Sequence, residues 1–140
     1  MAGSTFAIAL LRSGVSAVFL ASGILKLNDP ARFLLDVEAF ELLPHALNYA
    51  AALALPWLEI LAALGLWWQR LATGSAILLS LATASFLAAI ALATARGTAL
   101  DCGCFGDWLV FPTTATHVAF NCGLLAGCLI LVRHPITNRE

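Results

Sequence analysis

Charge is scarce in this chain. Only 11% of its 140 residues are Asp, Glu, Lys or Arg, against about 25% in a soluble domain. So few charges cannot cover a water-facing surface, so lipid must cover most of the exterior. The 7 basic and 8 acidic residues leave a net charge of −1 and form no basic cluster. That excludes nucleic acid as a partner, because its phosphates demand Lys and Arg patches. Sustained apolar–polar alternation is also missing, which excludes a strand-built barrel. There is no low-complexity tract, strong internal repeat or flexible linker. The first apolar run has no basic segment before it and carries an Arg inside it, so it is expected to be a retained span rather than a cleaved leader.

What is abundant is apolar sequence: 61% of residues are hydrophobic and the mean hydropathy is +0.94. Four runs, near 5–25, 45–67, 71–95 and 112–132, reach the roughly 20 residues that a membrane-crossing helix needs. The expected fold is an all-α membrane protein, a single four-transmembrane-helix bundle over residues 1–140. WWQR separates spans two and three, with Trp67 and Trp68 suited to a lipid–water interface and Arg70 to the headgroups. So short a joint makes those spans an antiparallel hairpin. Small residues in span three (Thr73, Gly74, Ser75, Ser80, Thr83, Ser85) suit close helix packing. In the first joint, Asp29 before Pro30 is a helix start, and Phe33, Val37 and Phe40 recur at helical spacing. That pattern predicts a short interfacial helix along the bilayer surface. An even number of spans puts both termini on one side. The basic residues divide evenly between the two sides, with Arg70, Arg133 and Arg139 facing Lys26, Arg32 and Arg96, so charge does not orient the bundle.

Charges inside a span are expensive and by default functional. Arg12 in span one and Glu59 in span two are such charges, and depths counted from the span ends put them at a similar level. Two readings stand: they pair inside the bundle, or Arg12 snorkels to the surface and Glu59 is protonated. Pro56, just before Glu59, predicts a bend and a small-molecule pocket beside the carboxyl group. Arg12, Ser16, Phe19, Gly23 and Lys26 fall on one stripe of span one. His117, Asn121 and Cys128 share a face of span four that is expected to turn inward. His117 is read either as an interhelical hydrogen-bond partner or as a proton-handling, quinone-binding residue.

Cys122 and Cys128 lie too far apart on one helix to bond, about 9 Å, and are read as packing residues. Cys102 and Cys104 differ, because DCGCFG places them in the polar joint before span four. A Cys-Gly-Cys disulfide is a strained ring and therefore labile and redox-active. As an inert cross-link it would close almost no loop and contribute little. Structural zinc needs more ligands than are near, whereas two thiolates could hold copper(I).

Taken together, Arg12, SGILKLNDPARF, LPWLEILAALGL and DCGCFG, in that order and spacing, make the chain resemble the MauE branch of the DoxX-like integral membrane proteins over nearly its full length. That family is associated with thiol and redox chemistry and with maturation of the disulfide-rich methylamine dehydrogenase. Some DoxX relatives are subunits of a thiosulfate:quinone oxidoreductase. The resemblance implies residence in the bacterial inner membrane, with both termini cytoplasmic and the Cys102/Cys104 joint periplasmic, where disulfides form. It also implies a periplasmic thioredoxin-like protein or maturation substrate as partner.

The resulting expectation is a thiol–disulfide redox protein with Cys102 and Cys104 as the catalytic pair. Its electrons pass to or from a quinone near Arg12, Glu59 and His117. The rival readings are a non-catalytic maturation factor and a small transporter or copper-binding membrane protein.

Overall fold

The computed structural model describes residues 2–97 and 114–134. Among them are five helices and no strand: α1 (Ala2–Asn28), α2 (Pro30–Ala39), α3 (His45–Gly65), α4 (Ala72–Ala95) and α5 (Thr114–Arg133). All but α2 are long and apolar enough to cross a membrane. The chain is therefore a multi-pass helical membrane protein, as its composition required. Large apolar side chains point outward along the spans, among them Phe6, Leu10, Trp57, Leu61, Leu81 and Leu129.

The long helices form a ring in which α1 packs on α3, α3 on α4, α4 on α5 and α5 on α1. Between α3 and α4 the chain turns tightly, with Trp68 N–H donating to Gly65 O and Leu71 N–H to Trp68 O. Trp67 and Trp68 are exposed at this turn, where an interfacial aromatic belt would sit. Close approach of α1 and α3 depends on Gly23: a Cβ there would lie 2.9 Å from Pro56 O and 2.6 Å from Ile60 Cγ1. Pro56 is buried inside α3, and the helix continues through it.

The interior is divided along its length. Val15, Phe19, Ala62, Ala63, Leu66, Ala76, Leu79, Cys128 and Leu131 form an apolar core toward the end that holds the α3–α4 turn. Toward the other end the interior holds the buried polar residues Ser22, Lys26, Glu59 and Asn121 beside a second apolar cluster of Phe40, Ile90 and Ala93. Of the small residues in α4, Ser80 and Thr83 are buried and donate to Ala76 O and Leu79 O, so their hydroxyls are satisfied within the helix. Gly74 instead faces outward, with open space around it.

Helix α2 begins as its sequence predicts. The Asp29 carboxylate accepts from Arg32 N–H, and Pro30 opens the first turn. Phe33 and Phe40 are buried. Phe40 packs on Ile90 and Ala93 of α4 and edge-on to Phe86, with ring centroids 6.5 Å apart. The helix ends where Glu41 takes a left-handed conformation, φ 49°, a position at which glycine is the usual residue. Helix α2 thus lies across the polar end of the ring.

Candidate functional site

The antiparallel packing of α1 on α3 decides which charges meet. Ser16 Oγ donates to Ala63 O, 2.9 Å, and Ser22 Oγ to Glu59 Oε2, 3.1 Å. In this register the α-carbons of Arg12 and Glu59 are offset by about nine residues, roughly 13 Å along the axes. Side chains also lean toward the N-terminus of their own helix. Arg12 therefore leans toward the α3–α4 turn, while Glu59, on the opposed helix, leans toward α2. Of the two readings left open for these charges, the mutual Arg12–Glu59 pair does not form. Span ends guessed from hydropathy could not supply the packing register.

Lys26 takes the place expected of Arg12. Its α-carbon lies near the end of α1, but its side chain leans back into the bundle, toward Glu59. Lys26 Nζ is 2.5 Å from Glu59 Oε1, and the two side chains are 2% and 4% exposed, a fully buried ion pair. The ammonium also stands 5.0 Å from the ring centroid of Phe33 and 5.2 Å from that of Phe86. Two aromatic faces, one from α2 and one from α4, thus hold a cation already paired to a carboxylate. The signal for Lys26 was present in its stripe with Ser16, Phe19 and Gly23. Its place at the end of an apolar run made it look like a joint residue.

A cavity of about 30 Å³ adjoins the pair. Its polar lining is Ser22, Lys26, Glu59, Thr83 and Asn121, from all four long helices, and Phe19, Phe86 and Phe120 contribute apolar wall. A cavity does lie beside Glu59, but it is smaller than the small-molecule pocket expected there, and α3 runs on as one helix through Pro56. It has room for one or two waters, whereas an engineered cavity that takes up benzene measures about 150 Å³.

Arg12 does different work. Buried at the opposite end, it donates from Nη1 to Leu66 O, 2.9 Å, and from Nη2 to His134 O, 3.3 Å. Both carbonyls lie just past helix C-termini, where acceptors lack intrahelical partners and the macrodipole favours a cation. Beside it, Ser16 Oγ accepts from Trp67 Nε1, 3.2 Å. This end is a clamp joining α1, α3 and α5.

On α5, His117, Asn121 and Cys128 are buried, as their shared face predicts. Asn121 Nδ2 donates to His117 O, 2.9 Å, and Asn121 reaches the cavity. Among the described residues, Arg12 and His117 do not line the cavity that Glu59 borders. Cys122 departs from the packing role expected of it, because it lies on the outward face of α5 and is exposed. Cys102 and Cys104 lie outside the described residues, as do the chain termini.

The fold and the site define a class: multi-pass helical membrane proteins whose four spans enclose a buried ion pair beside a water-sized cavity. Within that class the chain belongs to the MauE family, whose model, described as methylamine utilisation protein MauE, matches residues 4–134. It is 34% identical over 122 residues to the methylamine utilization protein MauE of Paracoccus denitrificans, covering 86% of this chain and 66% of that protein. To the protein of the same name from Methylorubrum extorquens it is 36% identical over 115 residues, covering 81% of this chain and 62% of that one. The chain thus spans just under two thirds of the length of these curated relatives. No solved structure matches it.

Proposed function

We propose that this chain acts in methylamine utilisation as an inner-membrane thiol–disulfide protein that supports maturation of a periplasmic protein. The observation that carries the reading is the Cys102-Gly103-Cys104 sequence in a joint between two spans of a MauE-family chain. In this proposal the joint faces the periplasm and both termini face the cytoplasm. A thiolate of a thioredoxin-like protein or maturation substrate attacks the Cys102–Cys104 disulfide. A mixed disulfide forms, and the partner's second thiol resolves it. The partner leaves oxidised, and Cys102 and Cys104 are left as thiols. Two electrons and two protons then pass to a quinone, restoring the disulfide and giving quinol. The cavity beside Glu59 is water-sized, so the proposal places the quinone ring on the lipid-facing surface of the bundle. Helix α2, with Leu35 exposed beside acidic neighbours, is proposed to lie along the bilayer surface on the same side as the joint.

Thiol trapping in intact spheroplasts tests this reading. A membrane-impermeant maleimide should label Cys102 and Cys104 only after mild reduction. Labelling in lysed membranes alone would put the pair on the wrong side and overturn oxidative maturation. A Cys102→Ser/Cys104→Ser variant should lose maturation of the partner. Full maturation by that variant would assign the chain a non-catalytic scaffolding role instead.

A further inference from the structure

We propose that Glu59 is a proton-exchanging carboxyl group, served by water held in the cavity it shares with Ser22, Thr83 and Asn121. The arrangement differs from that of an ion pair built only to hold helices together. A static buried pair is best surrounded by groups that close off both partners, since any unpaired buried charge is costly. Here the two partners are treated unequally. Among the described residues the Lys26 ammonium is held by Glu59 Oε1 and by the faces of Phe33 and Phe86. If the carboxylate is neutralised, the ammonium still lies against two ring faces, which attract a cation without needing a counter-charge. Glu59 has its second oxygen on the Ser22 hydroxyl, which can accept as well as donate, and it borders the cavity directly. Thr83 and Asn121 add a hydroxyl and an amide on the far wall. Ser22, Thr83 and Asn121 each donate a hydrogen bond within the protein but keep an oxygen that can accept from water, and the Glu59 carboxylate accepts as well.

Protonation forms an O–H bond on a Glu59 carboxylate oxygen. The proton comes from a hydronium relayed along the cavity water, which is left as neutral water, and no electron moves. The site gains one positive charge, carried by Lys26 on its aromatic faces. The groups that bear on this exchange come from every element packed around it. Lys26 lies on α1, and α2 carries Arg32 and Asp36 on either side of Phe33. Helix α4 contributes Ser80, Thr83 and no titratable group, and α5 has His117 one turn before Asn121. Glu59 lies level with a point about 10 Å from the end of α1, at 1.5 Å per residue. The path to the polar end of the bundle is therefore short. None of this depends on Cys102 and Cys104 exchanging disulfides.

Infrared spectra of the protein in lipid nanodiscs, taken over the whole pH range in which the protein stays folded, test the proposal. The native protein should show a protonated-carboxyl absorption that grows as pH falls, shifts in heavy water and is missing in E59Q. Absence of any E59Q-sensitive carboxyl absorption across that range would overturn it and leave the pair as a static bolt. If E59Q does not fold, carbon-isotope labelling of glutamate in an E38Q/E41Q/E140Q background, which leaves Glu59 as the one glutamate, makes the same assignment. Asn121→Leu keeps both charges but removes a polar wall of the cavity. It should slow the heavy-water shift by at least an order of magnitude. An unchanged rate would overturn the role given to cavity water.

Discussion

Replacing Lys26 by Met is the sharpest perturbation of the interior. Met has nearly the same length, so little volume is lost, but Glu59 is left without its counter-charge. Removing one partner of a buried pair costs about 3–5 kcal/mol, mostly through the uncompensated charge left behind. Loss of two cation–π contacts adds about 0.5–2 kcal/mol each. Polar groups also find partners in a membrane-inserted unfolded state, which moves the expected loss toward the low end, about 3 kcal/mol. Removing both charges is a different experiment. A Lys26→Met/Glu59→Leu double variant has no buried charge to leave unpaired, so it should be near neutral or more stable than the native protein by about 1–4 kcal/mol. The assay is reversible unfolding in mixed micelles, read by helical circular dichroism and closed as a double-mutant cycle. A single variant within about 0.5 kcal/mol of native, the range of an ordinary surface change, would refute the buried-pair reasoning. A double variant less stable than either single one would refute it equally.

Three further outcomes follow from the packing. Gly23→Ala should cost about 1–3 kcal/mol, because its Cβ would meet the fixed backbone carbonyl of Pro56 and push α1 off α3; thermal unfolding in detergent reads the loss. Arg12→Lys should destabilise nearly as much as Arg12→Gln, by about 1.5–3 kcal/mol in the same assay, since an ammonium lacks the fork that reaches both Leu66 O and His134 O. On α2, burial raises the Asp36 carboxyl above its ordinary value, opposed by Arg32 and reinforced by Asp29. The folded state then binds the proton more tightly than the unfolded one, so Asp36 makes α2 less stable as pH rises through its titration and relieves it as pH falls. Amide hydrogen exchange in α2, corrected for intrinsic rates, should show that slope, and Asp36→Asn should abolish it.

Much of this protein is legible in one dimension. Apolar run length is a local property, so the four spans could be located within a few residues of α1, α3, α4 and α5. Asp29 and Pro30 act on the next turn of backbone, so the start of α2 was legible as well. The inward face of α5 follows from helical periodicity, which brings His117, Asn121 and Cys128 to one side. The outward placement of Cys122 escaped because cysteine is as acceptable facing lipid as facing a core, and residue type alone does not choose.

The charged interior is another matter. The sequence by itself determined that Glu59 and Arg12 were anomalous charges in apolar spans, and left open whether they would find partners. Only tertiary structure decided that they do, and which. Partner choice rests on the axial offset between two antiparallel helices and on the lean of each side chain toward its own N-terminus. The offset is set by Gly23 against Pro56 and by which small residues let the helices approach. Those contacts couple positions more than thirty residues apart. Through them Glu59 went to Lys26, Arg12 went to the open carbonyls of two helix ends, and a water-sized cavity was left beside the carboxylate.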